Sequence, residues 1–320
     1  MDSKNEAGMA APYKKILILR GGAVGDFVLT LPALTAVRRE WPEAHIELAA
    51  NTAVGPLALA GGLVDQISSL DNADFARLFA AEAQLPTDLT ARLQSFDLIL
   101  SYLNDPDGAL KRNLLNAGAR RLVCGSPLVT TGHAIDALLR PLEELAIRAD
   151  PQECAGLHLA GQRVEQGRKR MAEFGESVVA IHPGSGSPKK NWPIDHFIEL
   201  AERLMTQTGF APVLTLGEAD EAIARELAAD VTGIPVLPPC SLVELAQCLS
   251  ACVGYVGNDS GITHLAAALR IPVVALFGPT DPGVWAPRGP NVKVIHAPEE
   301  LANIAVNDVY VSLVQGVPHA

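Results

Sequence analysis

The apolar positions of this chain come in short blocks rather than in one continuous stripe. Ile16 to Leu19, His45 to Leu48, Gln66 to Leu70, Asp97 to Leu100 and Arg121 to Cys124 are aliphatic or β-branched runs of the length of buried strands. Between them, Asp26 to Glu40 and Pro86 to Leu93 space their apolar residues as crossover helices do. The alternation predicts a parallel sheet flanked by helices. A second series follows, with strands at Val178 to Ile181, Pro212 to Leu216, Pro235 to Leu237, Cys252 to Val256 and Pro272 to Phe277, and helices at about 195–208, 219–230, 241–250 and 260–269. A last helical pattern, Pro298 to Gln315, is available to pack back across the first domain. The fold class is α/β: two Rossmann-like doubly wound domains, 1–155 and 156–320, parted in the polar stretch after Asp150-Pro151. Two such halves facing each other make a central cleft at the carboxyl ends of both sheets, where open α/β sheets bind ligands.

Length agrees with two domains, since 320 residues exceed one ordinary core. A chain 48% hydrophobic and 19% charged is neither disordered nor fibrous. Its net charge of −11 opposes binding to phosphate backbones, so nucleic acid is not an expected partner. Met1 to Lys15 lacks the apolar region of a signal peptide, and Leu265 to Phe277, broken by Arg270 and Pro272, is too short to span a membrane. Five cysteines (Cys124, Cys154, Cys240, Cys248, Cys252), an odd number, form no CxxC pair, which points to most of them being buried thiols in a reducing cytoplasm.

Three strand-to-helix steps carry the candidate chemistry. The first is Arg20-Gly21-Gly22-Ala23-Val24-Gly25-Asp26, whose glycines let a substrate approach the backbone. It is neither GxGxxG nor a P-loop, and the second strand ends at Asn51 with no acid for a ribose, so a nicotinamide-dependent oxidoreductase is disfavoured. Asp26 at the first helical turn is either a general base or a helix cap, and local context alone favours the cap. The second step is His182-Pro-Gly-Ser-Gly-Ser-Pro-Lys-Lys-Asn-Trp-Pro193, where backbone amides, a hydroxyl and a flexible cation are the parts of a diphosphate site or of a plain solvated loop. Trp192 and Phe197 staple this loop to the following helix. The third is Gly257-Asn-Asp-Ser-Gly-Ile-Thr-His264, with Asp259 or Ser260 as N-cap, a helix start open to anions, and His264 read as a packed core residue. Gly217 to Glu221 puts acids at another helix start. Asp105-Pro106-Asp107 spells a metal-binding DxD, but its proline makes it a turn, and no histidine pair has metal spacing, so neither a metal nor another cofactor is expected.

Taken together, KILILRGGAVGDFVLTLPALTAVRREWP, HPGSGSPKKNWPIDHF and VGNDSGITHLAAALRIPVVALFGPTDPGVWAP closely resemble glycosyltransferase family nine, the ADP-heptose:lipopolysaccharide heptosyltransferases and their relatives, over about residues 14–295. The resemblance implies a GT-B fold and an inverting, metal-independent transfer of a sugar from a nucleotide donor, ADP-heptose for a typical member. It implies Asp26 as base, Ser185 and Lys190 on the diphosphate, Glu221 on the ribose, and Asp259, Ser260 and Gly261 beside the donor's phosphates and sugar. Gly21, Gly22 and Gly25 then form the acceptor-side loop. Characterised heptosyltransferases usually carry hydroxyl residues where this chain has Gly21-Gly22-Ala23, a departure that bears on the acceptor. The implied partners are a nucleotide sugar and a glycan or glycolipid acceptor. The implied location is the cytoplasm, with peripheral contact to the inner membrane through a basic patch such as Arg38-Arg39 or Lys111-Arg112. The competing functions are a nucleotide-sugar-binding protein that transfers nothing and a family member that uses a different sugar and acceptor.

Overall fold

Ile16 to Leu19 have no solvent exposure, and a strand apolar on both faces belongs at the centre of a parallel sheet covered by helices. That is its position in the computed structural model, which describes residues 13–81, 83–151, 156–217, 220–229 and 233–317. Strands β1 (Lys15–Arg20), β2 (His45–Ala50), β3 (Gln66–Ser69), β4 (Leu98–Ser101) and β5 (Leu122–Cys124) pair in parallel in the order β3-β2-β1-β4-β5. The helices of this half of the chain are α1 (Val24–Val28), α2 (Leu31–Glu40), α3 (Gly55–Ala60), α4 (Ala73–Arg77), α5 (Thr87–Gln94), α6 (Ala109–Asn116) and α7 (Ala134–Leu139). The sheet's core includes Leu17, Leu19, Phe75, Leu93, Phe96 and Leu114.

The second half contains β6 (Val178–His182), β7 (Ala211–Leu214), β8 (Gly254–Asn258), β9 (Val273–Phe277) and β10 (Val292–His296), in the parallel order β10-β9-β8-β6-β7. Its helices are α8 (Gly161–Met171), α9 (Ile194–Gln207), α10 (Glu221–Ala229), α11 (Leu242–Ser250), α12 (Gly261–Ala268), α13 (Pro282–Trp285) and α14 (Val306–Gly316). Beyond β7 the sheet continues only as a bridge between Leu214 and Val236. This order places a topological switch between β6 and β8, so their carboxyl ends open a ligand crevice. Both candidate steps of the second domain, after His182 and after Asn258, leave from those ends.

Several expectations are corrected. The helix expected from Asp26 to Glu40 is two helices, because Pro32 has no N–H to offer the Val28 carbonyl and its ring would crowd it. The strand expected at Pro235 to Leu237 shrinks to one bridge, since the prolines at 235 and 238 leave too few donors for a ladder. The edge strand β10 was not anticipated. The terminal helix, with Val317 just past its end, docks by Val309 and Leu313 into the core of the second sheet, with Trp192 and Leu200. Cys248 and Cys252 are buried, and burial pushes their thiols up to about 11 and about 12. Cys124, at the end of the short edge strand β5, is exposed, and Cys154 lies outside the described residues.

By packing, the chain forms two units: one takes the chain to Gly22, Thr30–Thr131 and Ile135–Cys154, the other Ala23–Leu29, Gly132–Ala134 and Ala155–Ala320. The short helix α1 therefore belongs with the second sheet although it follows the first strand. Among the described residues no helix is long and apolar enough to cross a membrane.

Candidate functional site

The second unit assembles its site from three chain segments. The segment Ala23–Leu29 brings α1, whose Gly25 lies against Gly261 at the start of α12. A Cβ on Gly261 would stand 2.7 Å from the Gly25 nitrogen and 2.8 Å from the Val24 Cβ, so the two helix starts approach this closely only because position 261 is glycine. Asp26, one residue on, accepts a hydrogen bond from the Ala23 N–H at 3.1 Å, as an acid at the third helical position commonly does. The cap reading of Asp26 is thus realised in geometry, and it leaves the carboxylate partly exposed beside α12.

The β8-to-α12 turn supplies the second set of groups. Ser260 is the N-cap, its Oγ accepting from the Thr263 N–H at 3.3 Å, while Tyr255 and Thr263 share a buried hydroxyl contact of 3.0 Å behind it. Asp259, 8% exposed, holds Lys190 Nζ at 2.6 Å. That ion pair unites the third motif with the second, and it selects Lys190 over the exposed Lys189. Ser185 turns its hydroxyl into its own loop, within hydrogen-bond distance of the Ser187 carbonyl and of Asn191 Oδ1, which shapes the segment that carries the lysine. Trp192 is buried, donates Nε1–H to the Ile304 carbonyl at 3.0 Å and packs edge-on against Phe197, so it anchors the loop as expected.

His264 is 6% exposed, in keeping with a core residue, but its surroundings are not those of an ordinary core histidine. Burial pushes its pKa down to about 4; the carboxylates of Asp259 and Asp26 pull it upward, while His133 and Lys190 add to the fall. The imidazole is therefore neutral near pH 7, within electrostatic reach of four polar groups from three segments. His133, which no sequence pattern singles out, is the third segment: it is buried and donates Nε2–H to the Ala286 carbonyl at 2.8 Å.

Other predicted residues stand apart. Glu221 opens α10 with an exposed side chain, and the buried acid of that stretch is its neighbour Asp220. Asp220 accepts the Gly217 N–H at 2.7 Å, and its other oxygen lies so close to Gly184 that a Cβ there would come within 1.9 Å of it. In the first unit, Gly22 has φ +101°, a left-handed conformation that glycine adopts without strain, and Gly21 faces Leu103. Asp105 is a structural cap, accepting the N–H groups of Leu110 and Lys111 at 3.0 and 2.9 Å, which leaves its carboxylate engaged rather than poised for a metal. Arg38 pairs with Asp65 at 2.6 Å and also reaches the Pro42 and Ala44 carbonyls, so it is a clamp within the first unit.

Residues 141–309, more than half of the chain, match the family described as glycosyltransferase family 9 (heptosyltransferase). The chain belongs to that family. It is accordingly an enzyme of the glycosyltransferase class, as its three motifs implied. Among similar proteins, lipopolysaccharide heptosyltransferase 1 of Pseudomonas aeruginosa is 28% identical over 289 residues, covering 84% of this chain and 80% of the relative. In fold, the family 9 glycosyl transferase of Veillonella parvula superposes with a TM-score of 0.77 at 20% identity, covering 95% of this chain and 98% of that one. The E. coli ADP-heptose lps heptosyltransferase II gives 0.73 at 21% identity, covering 93% and 97%. The two parallel-sheet units of this family 9 chain are thus of the GT-B type expected.

Proposed function

We propose that the chain moves a heptose from ADP-heptose to a lipopolysaccharide-core or related glycan acceptor, inverting the anomeric centre without a metal. The similar Pseudomonas protein is named for lipopolysaccharide and the E. coli fold neighbour for ADP-heptose, and both support donor and acceptor class. The observation that carries the reading is the contact of α1 with α12, which sets Asp26 beside the turn holding the Asp259–Lys190 pair. In this mechanism the Asp26 carboxylate takes the proton of an acceptor hydroxyl. The hydroxyl oxygen attacks the anomeric carbon from the face opposite the diphosphate, and the bond to the diphosphate breaks with its electron pair leaving on ADP. Charge gathering on that leaving group is met by Lys190, by Ser185 and by the backbone amides at the start of α12, work that a divalent ion does in other transferases. His264, neutral and buried, adds a polar group to the site without a second positive charge. Glu221 remains a candidate for the ribose, with Asp220 the better placed acid for the loop itself.

The Ala23 bond to Asp26 favours one alternative, a nucleotide-sugar-binding protein in which Asp26 only caps α1. Incubating the protein with ADP-heptose and a deacylated core acceptor, with and without EDTA, separates the two. Transfer is expected to proceed with an inverted anomeric signal by NMR and at the same rate in chelator. Tight donor binding without ADP release would support the binding protein, and loss of activity in EDTA restored by Mg²⁺ would return Asp105 and Asp107 to consideration.

A further inference from the structure

Asn258 has no solvent exposure, and both polar atoms of its side-chain amide are hydrogen-bonded. Nδ2 donates to the Pro183 carbonyl at 2.7 Å, and Oδ1 accepts the Trp192 N–H at 3.0 Å. Those two backbone groups are the first and last of the loop that bears Ser185 and Lys190. We propose that Asn258 is a positioning residue that closes this loop at both ends, in the geometry from which Lys190 reaches a diphosphate. The proposal rests on the diphosphate role given to the loop above.

The chemistry selects an asparagine. A carbonyl at one end and an N–H at the other require a donor and an acceptor on two atoms of one short planar group, which an amide provides; an ionised carboxylate has no donor, and a hydroxyl offers both functions only from a single oxygen. The loop between contains Gly184 and Gly186, and an untethered segment of that composition would lose its freedom only on binding, at a cost to affinity. The next residue, Asp259, takes the lysine at 2.6 Å, so adjacent positions at the end of β8 hold the loop's start, its end and its cation. Trp192 is anchored separately through its indole N–H on Ile304, so loss of the Asn258 bonds loosens the loop upstream while the tryptophan stays docked.

Calorimetric titration of ADP into the full chain, at about pH 8 and about pH 5.5, tests this with Asn258→Asp, Asn258→Ala and Lys190→Ala beside the wild type. A carboxylate at 258 keeps the Trp192 bond but faces the Pro183 oxygen with no proton to donate; burial raises its pKa, and once protonated it reproduces both bonds. The charged or titratable groups facing the clamp are Asp259 and Lys190, with His182 and Asp220 behind it, and the wild type at both pH values controls for all four. Burial pushes the His182 imidazole below its usual range, against the pull of its Thr215 bond and of Asp220. Asn258→Asp is expected to bind ADP about tenfold or more weakly at the higher pH and to recover to near the wild-type affinity at the lower. Asn258→Ala is expected to be weak at both. If Lys190→Ala loses affinity while the Asn258 variants bind as the wild type does, the positioning role is wrong and the loop reading stands. If Lys190→Ala binds ADP normally, the loop reading fails and the proposal with it. An Asn258→Asp protein that does not fold even at the lower pH also overturns the proposal, because the protonated acid keeps both bonds.

Discussion

Lys190 lies two residues before a buried tryptophan and pairs with Asp259, so its ammonium is held near one point rather than sampling solvent as Lys189 does. Lys190→Ala is expected to weaken ADP binding by about 1.5–3 kcal/mol, the range for a charge-assisted hydrogen bond, and to slow transfer further because the interaction strengthens as the leaving group gains charge. Lys189→Ala should stay within about 0.5 kcal/mol. Calorimetry on both variants checks this, and equal small effects would remove the loop from the phosphate site. At this scale the sequence was informative where chemistry is local. Asp26, Lys190, Asp259, Ser260 and Gly261 sit at strand-to-helix steps recognisable from a few neighbours. His133 was illegible because it reaches the second unit from a remote segment with no pattern around it. The choice between Asp220 and Glu221 was equally closed to sequence, since adjacent acids at a helix start differ only in which one closes the turn back to Gly217.

At the scale of elements, the decisive feature is a break. Pro32 breaks the helix expected to run on to Glu40, and the five-residue α1 that remains packs on α12. Neither the break nor its partner is visible in apolar spacing, because Val28, Leu29 and Leu31 continue the pattern across it. The strands at the sheet centres were legible because both faces are apolar; β10 was missed because half-exposed Val-Lys-Val-Ile-His alternates weakly and ends beside a proline-containing turn. The contact of α1 with α12 predicts that Gly261→Ala forces the two helix starts apart, at about 1–3 kcal/mol of stability, and lowers the rate of transfer while ADP still binds. Gly25→Ala, whose Cβ would meet the Gly261 Cα at 3.4 Å, should be milder. Thermal unfolding with single-turnover rates on the two variants measures this, and a Gly261→Ala protein as stable and as fast as the parent would show that the glycine contact does not set the position of Asp26.

For the whole molecule, the buried neutral histidines make stability depend on pH. His264 titrates near 6.5 when unfolded and near about 4 when folded, so between those values the unfolded chain takes up a proton that the folded chain refuses. Stability is therefore expected to fall as the pH drops through 6.5 toward 4, with the contribution to the slope fading about a unit above 6.5, and His264→Gln should flatten part of that fall. Urea midpoints between pH 6.5 and about 5, where most carboxylates are still ionised, provide the comparison, and identical slopes would contradict it. The net charge of −11 does not oppose the proposed anion site, which would rest on one lysine, a hydroxyl and backbone amides rather than on net charge. The proposed transfer turns on Asp26 acting as a base as well as a cap. The most direct measurement is single-turnover transfer from ADP-heptose by Asp26→Asn, with ADP affinity determined on the same preparation. A turnover lowered by roughly 10²–10⁴-fold at nearly unchanged ADP affinity is the predicted result. An Asp26→Asn enzyme as fast as the wild type would contradict it and reduce Asp26 to the cap that its bond to Ala23 already describes.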